Sequence, residues 1–236
     1  MSNQITLYQH GTLALLVPGL LTGTITMAEL LKHGDTGIGT GEGLDGELII
    51  LDGKPYHIHG TGDITIAPDA FTMPFANAHF ARYSPLAELE NVDEADLNQQ
   101  MISLSRARNT FFSVEVHGVF SNVQTRAAVK SNPPYNTLAE TAENQSVFNR
   151  NQVKGTLLGY YSPELFEGAT VGGFHHHFIS DDHQFGGHVF SFHLDKGDVS
   201  YQLFDTFEQH LPVGNKQYME HDFSNDDIAG GIHQSE

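Results

Sequence analysis

The chain contains no cysteine and no tryptophan, and only 11 of its 236 residues are lysine or arginine. Each shortage removes a class of chemistry. Without cysteine there are no disulfides, thiolate zinc sites or iron–sulfur clusters, although the redox compartment is not thereby fixed. Against the 11 bases stand 29 acids, a net charge of −18. Nucleic acid and anionic membranes are therefore disfavoured as partners, since phosphate binding needs a basic surface. No apolar run approaches bilayer length. The longest candidate, Leu13 to Leu21, is interrupted by Pro18-Gly19, and the first basic residue, Lys32, follows rather than precedes it. It reads as buried strand and turn, and the missing signal pattern leads to the expectation of a soluble, cytoplasmic protein.

What is present is a foldable chain. Hydrophobic residues make up 39%, with 16 Phe and 8 Tyr, which argues against disorder despite the charge. The length fits one large domain or two small ones. Histidine is abundant, at 15 residues. Any metal site must use histidine and carboxylate.

Three helices are predicted. The first starts at the capping box Thr26-Met27-Ala28-Glu29 and stops at Gly34. The second lies near Asp93–Arg108, with Leu97, Met101 and Leu104 on one face. The third starts at Thr137-Leu138-Ala139-Glu140 and reaches Phe148. Segments such as Glu47–Leu51, Thr110–Val116 and His188–Phe192 read as strands bounded by turn residues. Strands outnumber helices without regular alternation. The expected class is α+β, with mostly antiparallel sheets and few helices. Pro133-Pro134 marks the expected seam, giving an N-terminal half over 1–134 and a C-terminal half over 135–236.

The segment Gly172-Gly173-Phe174-His175-His176-His177-Phe178-Ile179, followed by Ser180 to Gly187 and His188-Val189-Phe190, carries the most chemistry. In a strand, His175 and His177 share one face while His176 points away. Asp181-Asp182-His183-Gln184 has hairpin-turn chemistry. A turn centred on Asp182-His183 pairs His177 with His188, so three imidazoles line one face of a two-stranded ribbon. Zinc and related divalent ions bind such nitrogens at roughly 2.0–2.1 Å and keep open positions for water or substrate. The bland alternative is a solvated histidine edge, but Phe174, Phe178 and Phe190 flank the histidines with apolar surface. A three-histidine site with open positions suits a zinc hydratase, a cupin oxygenase or a decarboxylase alike.

Three other residues stand out. Glu47 enters the apolar strand Leu48-Ile49-Ile50 from a glycine-rich turn. It is either a buried carboxylate that must be paired, bind metal or hold a raised pKa, or an outward-facing strand residue. Arg126 could dock a substrate carboxylate through a bidentate fork, or form a structural ion pair. Glu236 is the last residue, where a frayed tail is the usual expectation.

These residues together resemble the bacterial α-acetolactate decarboxylases. The resemblance runs through Glu29-Leu30-Leu31, His33-Gly34-Asp35, Gly37-Ile38-Gly39-Thr40 and Leu44-Asp45-Gly46-Glu47. It continues through Pro74-Phe75-Ala76, Gly118-Val119-Phe120, Arg126 and Pro134-Tyr135 to Gly173–Ile179 and Gly186-Gly187-His188-Val189. It implies an α+β fold of two sheet-containing halves around one zinc per chain, usually in a homodimer. It implies that His175, His177 and His188 ligate the zinc. Glu47 falls beside metal and substrate, Thr40 in the same loop, Arg126 on the active-site arginine, and Glu236 on a glutamate that reaches back to the metal.

The implied reaction is decarboxylation of 2-acetolactate to acetoin and CO2. The metal stabilises the enediolate, Arg126 orients the carboxylate, and Glu47 protonates carbon on one face. Two other readings stand beside it. A cupin-type oxygenase or isomerase would want a glutamate soon after His-x-His and a later histidine where Gln217 stands. A non-catalytic metal-binding protein would bind several ions without needing Arg126.

Overall fold

The computed structural model describes residues 5–233. The chain begins with β1 (Thr6–His10), α1 (Leu13–Leu16), β2 (Ile25–Thr26) and α2 (Met27–Leu30). A run of strands follows: β3 (Thr36–Gly41), β4 (Asp45–Leu51), β5 (Lys54–Ile58), β6 (Ile64–Ile66), β7 (Thr72–Met73), β8 (Phe75–His79) and β9 (Ser84–Asp93). Then come α3 (Glu94–Ser105), β10 (Phe112–Ala127), α4 (Leu138–Glu143), β11 (Ser146–Ser162), β12 (Gly173–Ser180) and β13 (Gly186–Leu203). The last elements are β14 (Thr206–His210), α5 (Lys216–Glu220) and α6 (Ile228–His233).

The α+β expectation holds, with strands dominant and helices short. Seven strands form one sheet in the order β14-β1-β8-β3-β4-β5-β6, and five form a second in the order β10-β11-β12-β13-β9. In the second sheet β10 also pairs with β13, so hydrogen bonding closes on itself around β10, β11, β12 and β13. Closure removes free edges that would otherwise template aggregation. Phe112, Phe120, Leu157, Phe178 and Leu194 fill that ring with Leu97 and Met101 of α3. Between the sheets pack Ile38, Ile49 and Ile58 from the first, with Leu158, Tyr160 and Ile179 from the second. Strands on both sides of Pro134 contribute to each sheet, because β9 and β10 join the second and β14 joins the first. Among the described residues no helix is long and apolar enough to cross a membrane.

Local chemistry explains most helix starts. Thr26 Oγ1 accepts the Glu29 amide and Asp93 accepts the Asp96 amide, while Thr137 and Glu140 form a complete capping box. Four predicted details differ. Leu13–Leu16 is a one-turn helix rather than a strand, with Leu13, Leu15 and Leu16 buried; an unbroken apolar run carries no period that separates the two. The first predicted helix is a single turn ending at Leu30. The third ends at Glu143, and Phe148 lies in β11, where Val147 and Phe148 pair with Arg126 and Thr125; sheet pairing overrides the helical pattern there. Leu104 is 47% exposed because α3 terminates one residue later, at a left-handed Arg106.

Candidate metal centre and active-site cleft

The β12–β13 hairpin has the register that alternation requires. His177 pairs with His188, Phe178 with Gly187 and Ile179 with Gly186. The same row continues sideways, since His188 also pairs with Arg126 of β10. Directly opposed residues share a sheet face, so His177, His188 and Arg126 project together, with His175 two residues along from His177. Gly187 makes this row possible. Its φ is +134°, and a Cβ there would lie 2.4 Å from the Arg126 carbonyl oxygen.

One ligand nitrogen from each of His175, His177 and His188 lies within 4.8 Å of the others. His177 Nδ1 donates to the Leu48 carbonyl at 2.8 Å, which fixes the tautomer and leaves Nε2 bare. His175 Nε2 and His188 Nδ1 face each other at 2.9 Å. Burial pushes the His175 imidazole down to about 3, helped by the Arg126 charge, and holds His177 and His188 well below the ordinary histidine range. Three neutral, convergent nitrogens in a dry site are what a divalent ion needs, and the donor set fits one. His176 points the other way, as alternation requires. Its Nε2 donates to Asn98 of α3 at 2.8 Å, and its ring fills the space left by the missing side chain of Gly159.

The first sheet supplies the facing wall. Thr40 of β3 pairs directly with Glu47 of β4. Glu47 is buried, with Oε2 3.7 Å from His177 Nε2, which settles the two readings of this residue in favour of the inward one. Thr40 Oγ1 donates to the Gly46 carbonyl at 2.7 Å and braces the turn before Glu47. Arg126 is 8% exposed, donates to Gln145 Oε1 at 2.8 Å and lies over the Phe190 ring at 5.5 Å. One cleft collects Thr40, Glu47, Arg126 and the three histidines against an apolar wall of Leu13, Leu16, Phe75 and Leu138. A second cleft, beside Tyr8, Lys32, His33, Arg82 and Glu208, has no comparable convergence of donors. Glu236 lies outside the described residues.

Sequence reasoning did not find Gln145, the Leu48 carbonyl or the leucine wall. Gln145 sits between a helix and a strand without a motif, and a backbone carbonyl has no signature in sequence. The wall is assembled from segments more than a hundred residues apart.

The family model described as alpha-acetolactate decarboxylase matches residues 7–225. The chain belongs to the alpha-acetolactate decarboxylase family. Among its relatives, the alpha-acetolactate decarboxylase of Streptococcus thermophilus is 36% identical, with 100% of each chain covered. That of Lactococcus lactis subsp. cremoris is 37% identical over 93% of each. The crystal structure of alpha-acetolactate decarboxylase from Bacillus subtilis strain 168 superposes with a TM-score of 0.93 at 31% identity, covering 98% of this chain and 99% of that one. A Staphylococcus aureus protein described as similar to alpha-acetolactate decarboxylase superposes with a TM-score of 0.94 at 37% identity, covering 98% and 100%. The decarboxylase fold thus spans essentially the whole chain.

Proposed function

We propose that this chain decarboxylates 2-acetolactate to acetoin and CO2, with one zinc ion held by His175, His177 and His188. The observation that carries the reading is the convergence of three neutral imidazoles, a buried carboxylate and a buried guanidinium in one cleft. A divalent ion held by these three histidines would supply Lewis acidity to the substrate.

The protein's own groups divide the remaining work. The Arg126 fork, steadied by Gln145 and Phe190, binds the substrate carboxylate and sets the scissile bond across the plane of the ketone. Carbon dioxide leaves with the bond broken heterolytically, and the electron pair stays behind, delocalised into the ketone as an enediolate. Glu47 Oε2, on the opposite wall beside His177, delivers one proton to the former carboxylate-bearing carbon. Thr40 steadies the turn that aims Glu47. Leu13, Leu16, Phe75 and Leu138 take the two methyl groups and exclude water, so the proton arrives from one face. Glu236, by the family resemblance, would either ligate the metal or serve as a second acid. The working assembly is a homodimer, which sedimentation velocity tests.

Stripping the metal with a chelator and supplying racemic acetolactate tests the reading. Acetoin formation should fall to background and return on adding zinc. Undiminished acetoin formation by metal-free protein overturns it. A cupin-type oxygenase would consume O2 during turnover, and a metal buffer would bind several ions per chain and lose no activity when Arg126 is replaced.

A further inference from the structure

Fifteen histidines are more than one metal centre uses, and a second His-x-His sits on β5 and its edge as His57-Ile58-His59. Strand alternation puts both rings on one side of the hairpin, with centroids 4.0 Å apart. Asp45, where β4 begins, brings its carboxylate to the same place. One ligand atom from each of Asp45, His57 and His59 lies within 4.8 Å of the others. None of the three lines the cleft described above.

We propose that Asp45, His57 and His59 form a second divalent-metal site, selective for zinc-like ions that accept mixed imidazole and carboxylate ligands. Two nitrogens and a carboxylate oxygen are the donors such ions share, with the remaining positions left to water. His57 is buried, and burial holds its imidazole below the ordinary range, so it is neutral at working pH. His59 Nε2 is 2.9 Å from Thr65 Oγ1, an outer hydrogen bond that orients the ring and leaves Nδ1 for the ion.

Two groups now occupy the position. His57 Nε2 donates to the Asp45 carbonyl at 2.6 Å, and Lys130 Nζ lies 3.1 Å from Asp45 Oδ2. The ion replaces the proton on His57 Nε2, the ring adopts the tautomer protonated at Nδ1, and the Asp45 carbonyl becomes a further oxygen donor. The Lys130 side chain is 48% exposed on a flexible stem, so its ammonium competes with the ion and can swing into water. Occupancy ties β5 to the start of β4, two residues before Glu47.

The test is a calorimetric zinc titration of protein already carrying one zinc per chain, with bound zinc counted by elemental analysis. Wild type should take up one further ion. His59→Gln, at a partly exposed position and with its fold checked by circular dichroism, should weaken that binding by at least about 100-fold while the first zinc stays. Lys130→Gln should tighten it. The proposal is overturned if wild type binds no second ion, if His59→Gln titrates like wild type, or if Lys130→Gln loses the second ion.

Discussion

At the scale of single residues, Glu47 carries the sharpest expectation. Its carboxyl is buried at the head of the apolar run Leu48-Ile49-Ile50, and its Oε2 looks toward His177 Nε2 at 3.7 Å. Glutamine keeps the size and most hydrogen bonds but carries no transferable proton. Glu47→Gln should therefore lower kcat about 10²–10⁴-fold, the range for removing a positioned acid. Residual acetoin should lose its single handedness, because water protonates from either face. Steady-state assays with chiral chromatography read both, and zinc content read alongside separates a proton donor from a ligand. Activity within threefold of wild type would remove Glu47 from the proton step. Nothing in the local sequence decided whether this side chain faces in or out; the facing β12–β13 hairpin, which buries it, is over a hundred residues away.

At the scale of elements, the β12–β13 hairpin was the most legible part of the molecule. Its register depends on a period of two and on turn chemistry at Asp182-His183, both local properties, so pairing His177 with His188 required no knowledge of the rest of the fold. By contrast, α1 and the end of α4 were misread, because a short apolar run or a helical period yields to whatever sheet or core lies alongside. The parallel pairing of β14 with β1 joins residues 200 positions apart, as in His10 with His210, and no local signal encodes it. The hairpin's attachment to β10 depends on Gly187. At φ +134° a side chain is strained, and its Cβ would sit 2.4 Å from the Arg126 carbonyl oxygen. Gly187→Ala should destabilise the protein by about 1–3 kcal/mol in urea denaturation and weaken zinc binding, because Arg126 and His188 share that row. Gly214→Ala, where an added Cβ meets nothing within 4 Å, should stay within about 0.5 kcal/mol of wild type. Equal effects from the two substitutions would refute the close-approach account.

At the scale of the whole molecule, burial of neutral histidine couples stability to pH. His10 is fully buried between His210 and Thr24, and burial with the His210 charge brings it from 6.5 down to about 4. His79, wedged among Tyr83, Tyr160 and Phe204, is brought from 6.5 to about 3 by burial. In the metal-free protein His175 and His176 behave alike, each near 3 for the same reason. All four stay neutral when folded and take up a proton when unfolded as the pH drops below 6.5. The unfolded state then binds more protons, so their contribution is complete above pH 6.5 and is lost progressively toward pH 3–4. Glu94 opposes them. Burial and the neighbouring Asp93 raise it from 4.5 to about 7, which favours the folded state as the pH falls through that interval. Glu115, raised by burial and the Asp52 charge, acts in the same sense, so two partly exposed carboxyls stand against four imidazoles, three of them buried and His175 partly so. At about 1.4 kcal/mol per pH unit for each excess proton, a net difference of two or more lowers Tm by at least about 5 °C per pH unit for a chain of this length. Melting chelator-stripped protein from pH 6.5 to 4.5 should show that fall, and His10→Gln, which removes one titrating group, should make it shallower. A Tm that holds constant or rises over this range would mean that these imidazoles are not held neutral by the fold.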